Sequence, residues 1–113
     1  MIQIYHNPRC SKSREGLSIL EESGKDFEVI PYMQESLNAE DLKKIILTLG
    51  MDPIDLVRKN EAVWKENYRD KILTDDQIIE AMVENPQLIE RPVVVNGNKA
   101  VIGRPPVLIK DIL

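Results

Sequence analysis

The first thirty residues read as a strand, a helix and a second strand, and this order restricts the folds open to the chain. Residues 1–5 alternate apolar and polar side chains as a short strand does. A helix is predicted from Ser11 or Ser13 to Ser23, with Gly24 as its left-handed cap. Residues 27–30 form the next strand. A strand–helix–strand unit of this length implies a right-handed crossover and parallel pairing of its two strands.

The middle of the chain is predicted to be helical. Asn38 caps a helix that ends before Gly50, and Asp52-Pro53 begins a second helix with a cap and a first-position proline. A third opens at Thr74–Gln77, which matches a capping box. Trp64, Met82 and the aliphatic residues of these helices could line a ligand pocket, but their helical spacing favours core packing.

The pattern changes to strands near the end of the chain. β-branched residues flank Asn96-Gly97, which predicts a hairpin with a type I′ turn, and residues 107–113 predict a short closing helix. With 113 residues the chain is expected to form a single domain, 1–113. The order of elements predicts an α/β fold with a four-stranded mixed sheet flanked by helices, and a helical insertion at about residues 36–88.

Cys10 lies between the first strand and the first helix, at the edge where open α/β sheets usually bind ligands. A helix N-terminus lowers a cysteine pKa and attracts anions, and His6, Arg9, Lys12 and Arg14 add positive charge nearby. We therefore expect a reactive thiolate, and rank second the alternative of a small buried side chain. Because the chain has one cysteine, disulfide chemistry requires a sulfur from a small thiol or another protein.

The polar neighbours of Cys10 allow more than one role each. His6 could tune the thiol by charge or by a hydrogen bond, or it could cap the strand end. Ser11 and Ser13 could donate hydrogen bonds to a thiolate, cap the helix, or do both. One cysteine and one histidine do not make a typical zinc site, so no metal is expected. The chain also lacks both glycine-rich nucleotide-binding motifs.

Three arginines lie at element edges. Arg91 and Arg104 bracket the hairpin, so we expect them to lie close together. Two guanidinium groups are suited to share a tetrahedral oxyanion such as phosphate, sulfate or arsenate. Arg58 is the third arginine of this kind. Taken singly, each is more often a solvated charge or an ion-pair partner.

The net charge of −4 argues against a nucleic-acid or acidic-membrane surface. No apolar run approaches the roughly 20 residues that span a bilayer, and the first residues do not resemble a secretory signal. We therefore expect a cytoplasmic protein that does not bind membranes, and a monomer.

Five motifs, in order, resemble the glutaredoxin-coupled arsenate reductases over essentially the whole chain, and the sequence is most similar to the YfgD-like branch of that family. The resemblance implies a thioredoxin-like fold, with Cys10 as the nucleophile and a cis bond before a structural Pro92. It also implies that Arg58, Arg91 and Arg104 bind the oxyanion and that His6, Ser13 and Arg14 tune the thiolate. The motifs are His6–Cys10 with Ser13-Arg14, Leu56–Asn60, Thr74–Gln77, Arg91–Val95 and Gly103–Pro105.

The activity implied by the resemblance is reduction of arsenate to arsenite, as in arsenic detoxification. Glutathione is then the co-substrate and glutaredoxin the protein partner, with no bound cofactor. Ser11-Lys12 departs from the Gly-Thr of the best-known members.

Two other functions fit the same fold. The sequence is also similar to Spx-type regulators, which bind RNA polymerase and usually sense oxidants through Cys-x-x-Cys. Ser13 replaces the second cysteine here, which counts against such a redox switch. A general glutathione-dependent thiol oxidoreductase is the other alternative, and the arginines Arg91 and Arg104 argue against it.

Overall fold

The chain forms two compact units. The sheet unit comprises Met1–Glu35 and Arg91–Leu113, and the helical unit comprises Ser36–Glu90. The computed structural model describes residues 1–35 and 37–113, so Ser36, where the predicted insertion begins, lies outside the described residues. Within these ranges, no helix has both the length and the apolar character needed to cross a membrane.

The sheet unit contains a four-stranded mixed sheet, as predicted. Its strand order is β2-β1-β3-β4, with β1 parallel to β2 and antiparallel to β3, and with β3 antiparallel to β4. Helix α1 makes the crossover between β1 and β2, and a 3₁₀ helix closes the chain. The elements are β1 (Ile2–Tyr5), α1 (Ser11–Ser23), β2 (Phe27–Ile30), β3 (Val93–Asn96), β4 (Lys99–Ile102) and the 3₁₀ helix Pro106–Ile112.

The core of the sheet unit lies between the central strands, α1 and the closing 3₁₀ helix. Ile4 of β1 pairs with Val94 of β3, and neither side chain is accessible to solvent. Leu20 from α1 and Ile109 from the 3₁₀ helix complete the contact and are equally buried. Burial of apolar side chains from all three elements fixes the register of β1, whose carboxyl end leads directly to Cys10.

The hairpin forms at the predicted position, but its turn is not of the predicted type. Asn96 pairs with Lys99, so the two loop residues are Gly97 and Asn98. Gly97 has φ 63°, whereas Asn98 does not have a positive φ. A type I′ turn needs positive φ at both central residues, and glycine at the first position alone is the pattern of a type II′ turn. The prediction assumed that the turn centred on Asn96-Gly97, and the pairing is displaced by one residue.

Residues 37–90, the described part of the helical unit, form three α-helices and two short 3₁₀ helices. Asn38 accepts a hydrogen bond from the backbone N–H of Asp41 (2.8 Å), and Thr74 forms the predicted capping box with Gln77. Trp64 and Met82 are buried, as expected for packing residues. The elements are α2 (Ala39–Leu49), the 3₁₀ helix Pro53–Leu56, α3 (Ala62–Asn67), α4 (Asp75–Glu84) and the 3₁₀ helix Pro86–Leu88.

The helix predicted to begin at Asp52-Pro53 is only a 3₁₀ turn of four residues, and Asp52 makes no side-chain capping bond. The chain leaves the helical conformation because Val57 bridges Ile89. The backbone N–H of Arg58 donates to the Leu88 carbonyl at 2.7 Å, so it is not available to continue a helix. Helix α3 is therefore a separate element, and the sequence analysis did not predict it.

Candidate active site

Cys10 occupies the N-cap position of α1 and is partly exposed. Its backbone is extended, with φ −97° and ψ 123°, and its carbonyl accepts the first helical hydrogen bond, from Arg14 at 3.0 Å. Its own N–H donates to the Asn7 carbonyl at 3.0 Å. These two bonds hold the residue at the start of the helix, so that the sulfur lies next to backbone N–H groups that have no helical partner.

The pKa of the Cys10 thiol is lower than its ordinary value. Partial burial of the sulfur raises this pKa, but hydrogen bonds from the backbone N–H of Ser13, the side chain of Arg91 and the backbone N–H of Lys12 outweigh that effect. The positive charge of Arg91 lowers the pKa further. The sulfur is therefore more ionised at neutral pH than a free cysteine, and it is accessible to a reactant.

The two arginines that bracket the hairpin do lie together. Arg104 Nη1 donates to the Arg91 carbonyl oxygen at 3.0 Å, and the same nitrogen lies 3.9 Å from Cys10 Sγ. Arg91 also donates a side-chain hydrogen bond that lowers the pKa of the Cys10 thiol. The sheet unit therefore brings the sulfur of Cys10 together with two arginines. Arg91 is half-buried and Arg104 is exposed.

Ser13 acts on the sulfur through its backbone, and its hydroxyl has other partners. The hydroxyl oxygen accepts a hydrogen bond from the backbone N–H of Asn7 at 3.0 Å and shares one of 2.6 Å with Nδ1 of His6. Ser13 and His6 are both buried. This contact joins the end of β1 to the first turn of α1, on either side of Cys10, and so fixes the loop that carries the thiol.

His6 does not contribute the positive charge that was expected of it. Its burial lowers the pKa of the imidazole below 6.5, and the nearby charge of Arg14 lowers it further, while a backbone hydrogen bond with Ser13 acts in the opposite direction. The ring is therefore neutral at neutral pH. The hydrogen bond that His6 makes is to the Ser13 hydroxyl and not to the thiol, so tuning of the thiolate by His6 stays a prediction.

Arg14 contacts the loop and not the sulfur. Its Nη1 donates to the carbonyl oxygen of Pro8 at 2.9 Å, from an exposed position in the first turns of α1. The backbone N–H of Arg9 donates to Oδ1 of Asn7 at 3.0 Å within the same loop. These bonds stabilise the conformation that presents Cys10, and any effect of Arg14 on the thiolate is a prediction still.

Pro92 is held in a close-packed contact that the sequence did not reveal. The Arg91–Pro92 peptide bond is cis, as the resemblance implies, and so is Arg104–Pro105. A Cβ added at Gly16 or at Gly103 would lie 2.9 Å from Pro92 Cγ, so both glycines allow the ring to approach their backbones. Ile109 packs against the same two glycines. The sequence feature that could have indicated this close contact is Gly16, a glycine inside a predicted helix.

Arg58 belongs to the helical unit, where it follows the 3₁₀ helix Pro53–Leu56 and is half-buried. Its backbone N–H takes part in the bridge to the segment around Leu88. Its assignment to an oxyanion site remains a prediction of the sequence.

A thioredoxin-like sheet with a cysteine at the start of its first helix defines a class of proteins, and the comparison with known families identifies it. Residues 5–112 match the ArsC family, and the chain belongs to that family. The fold and the family agree with the resemblance drawn from the sequence motifs.

Individual relatives match the chain over nearly its full length. It is 46% identical to the protein YfgD of Escherichia coli (strain K12), over 99% of this chain and 96% of that protein. It is 40% identical to an arsenate reductase of Haemophilus influenzae, over 97% of both chains. A solved structure, an arsenate reductase from Vibrio cholerae, superposes with a TM-score of 0.94 at 45% identity and covers 99% of this chain and 97% of its own.

Proposed function

We propose that this protein reduces arsenate to arsenite, with Cys10 as the nucleophile and with glutathione and glutaredoxin supplying the electrons. The observation that carries the proposal is the contact between the Cys10 thiol, whose pKa is lowered, and the pair Arg91 and Arg104. Membership of the ArsC family and the relatives named arsenate reductases support the same activity.

In the first step the two guanidinium groups hold the oxyanion while the Cys10 thiolate attacks arsenic. A planar fork of donors suits a tetrahedral anion, and it neutralises negative charge that would otherwise repel the thiolate. An As–S bond forms, one As–O bond breaks, and the oxygen leaves as water after protonation. The product is an As(V) adduct of Cys10.

The remaining steps need sulfur from outside, because the chain has one cysteine. A glutathione thiolate displaces a second oxygen as water, so that As(V) carries two sulfurs. Glutaredoxin then attacks the glutathione sulfur: an S–S bond forms, the S–As bond breaks, and its electron pair reduces As(V) to As(III). Water finally cleaves the bond between Cys10 and arsenic, which releases arsenite and the free thiol.

The test is arsenate-dependent oxidation of NADPH in an assay coupled through glutathione reductase. The wild type should be active only when glutathione and glutaredoxin are both present. Cys10→Ser should fall to background, because a serine hydroxyl is a weak nucleophile without an activating base. Arg69→Gln, which changes an exposed arginine of the helical unit, is the matched control and should keep full activity.

Two outcomes would reject the proposal. Equal rates for the wild type and Cys10→Ser would show that Cys10 is not the nucleophile. Glutathione-dependent turnover of a mixed disulfide without any turnover of arsenate would identify a general thiol oxidoreductase.

A further inference from the structure

The helical unit contains a cleft of about 500 Å³ that the proposed arsenate chemistry does not use. It lies beside α3 and the start of α4, and the segment between these helices forms one wall. Small-molecule sites have volumes of about 300–1,000 Å³ and combine apolar walls with a few polar groups. The cleft has this size, and its lining consists of four apolar and four charged side chains.

The apolar residues that line the cleft include Trp64, the one tryptophan of the sequence. Trp64 is 6% exposed and stacks on Tyr68, with ring centroids 5.5 Å apart. Ile54, Leu73 and Ile78 line the cleft with it. Trp64 and Ile78 are almost fully buried, so the accessible apolar surface of the cleft comes mainly from Ile54 and Leu73, which are half-buried.

Most charged side chains around the cleft are positive. Lys59, Arg69 and Lys71 line it and are exposed, while the carboxylates are Asp75 in the lining and Asp70 beside Arg69. Arg69 also contacts Asp70 at 3.8 Å, but both side chains are exposed, so this ion pair is weak and leaves the guanidinium able to bind an anion. The chain as a whole has a net charge of −4, so this cationic group is a local feature and not the average surface.

We propose that this cleft binds an organic anion with an apolar body, such as a medium-chain or aryl carboxylate. The apolar body lies against Ile54 and Leu73, beside the edge of Trp64, and its burial there drives binding. The carboxylate lies at the rim, where Lys59, Arg69 and Lys71 stabilise it. A cation with the same apolar body gains the burial but is repelled by the rim, and this difference defines the specificity.

The experiment compares octanoate with octylammonium on the full-length protein, with Trp64 fluorescence as the readout. Octanoate should change the emission saturably, and octylammonium should bind at least about fivefold more weakly, since opposite charge adds attraction to one ligand and repulsion to the other. Added salt should weaken octanoate binding, because the Debye length falls from about 30 Å at 0.01 M to about 8 Å at 0.15 M.

Substitutions at the rim test the assignment of charge. Lys59→Gln and Lys71→Gln should each raise the Kd for octanoate by about 1.5-fold to fivefold, the range for exposed charge pairs. Lys44→Gln, on the exposed face of α2, is the matched control and should leave the Kd unchanged. Leu73→Glu should abolish binding. Unfolding curves show that each variant keeps its fold.

Three results would overturn the proposal: no saturable change in Trp64 fluorescence with octanoate, equal affinity for octylammonium, or an unchanged Kd in both lysine variants. The outcome is independent of arsenate reduction, because none of these substitutions touches Cys10, Arg91 or Arg104.

Discussion

The ionisation of Cys10 depends on a balance between burial, which raises the pKa of the thiol, and hydrogen bonding, which lowers it. The net effect is a lower pKa of the thiol, because hydrogen-bond donors approach the sulfur from both the first turn of α1 and the segment before β3. The backbone N–H groups of Lys12 and Ser13 come with the helix start itself. Arg91 is the side chain that adds both a hydrogen bond and a charge.

A pH titration of Cys10 should show this balance directly. The midpoint of thiolate absorbance should lie below the reference value of 9.0 for cysteine in the wild type. Arg91→Gln should move it upward, since the thiolate loses a donor and a positive charge, whereas Arg69→Gln should leave it in place. The rate of alkylation by iodoacetamide should follow the same midpoints. A wild-type midpoint at or above the reference would contradict the account of the site.

His6 should make the folded state less stable as the pH falls. Its pKa in the folded protein is lower than the value of about 6.5 expected in the unfolded chain, so the unfolded state takes up the proton first. Stability is therefore complete above about pH 6.5 and declines below it, until the folded ring also titrates. Urea unfolding at about pH 7.5 and about pH 5.5 brackets this change.

The chain has one histidine, so the assignment can be checked by removing it. His6→Gln should lose most of the decline in stability between the two pH values, and Cys10→Ser should retain it. If His6→Gln shows the same decline as the wild type, another group is responsible.

At the level of residues, sequence reasoning succeeded where the reason was local. The helix start at Cys10 and the hairpin that joins Arg91 to Arg104 both follow from short patterns. The neutral state of His6 depends on its burial between β1 and α1, and so does the hydrogen bond between His6 and the Ser13 hydroxyl. No local sequence pattern predicts this burial.

Among the elements, the contact of β3, β4 and α1 around Pro92 makes a sharp prediction about packing. Gly103→Ala would place a methyl group 2.9 Å from Pro92 Cγ and 3.0 Å from Ile109 Cδ1. The proline ring is rigid and buried, so the substitution should destabilise the protein by about 1–3 kcal/mol, as overpacking does. Chemical unfolding measures this change.

Ile109→Val supplies the matched control, because it removes the Cδ1 atom that the new methyl group would meet. The double variant should be more stable than the sum of the two single changes predicts, by about 0.5 kcal/mol or more. Strict additivity would mean that the added methyl group does not press on Ile109.

Most elements were predictable because capping residues and periodic apolar positions mark their ends. Asn38, Gly24 and the Thr74 capping box act as expected. The segment from Pro53 to Asn67 was not predictable, because the bridge between Val57 and Ile89 joins positions far apart in sequence. The predicted type of turn at Gly97 was also wrong, because the sequence pattern does not distinguish two strand registers that differ by one residue.

The whole molecule is acidic, with a net charge of −4, so recognition of an oxyanion depends on local donors and not on the general field. In the function proposed above those donors are Arg91, Arg104 and the N-terminus of α1, all of which lie near Cys10 in the sheet unit. Binding of an anion there should stabilise the folded state as a whole, because the unfolded chain does not assemble the site.

This stabilisation can be measured apart from catalysis in the Cys10→Ser variant. Arsenate at 100 times its Kd should add about 2.7 kcal/mol to the free energy of unfolding, which corresponds to a rise in Tm of roughly 5–20 °C for a domain of this size. Arg91→Gln or Arg104→Gln in the same background should reduce the rise, and Lys44→Gln, an exposed position on α2, should not. This measurement does not depend on the reaction. If the rise in Tm persists in both arginine variants, arsenate binds at another site. If Cys10→Ser shows no rise in Tm, arsenate does not bind at this site.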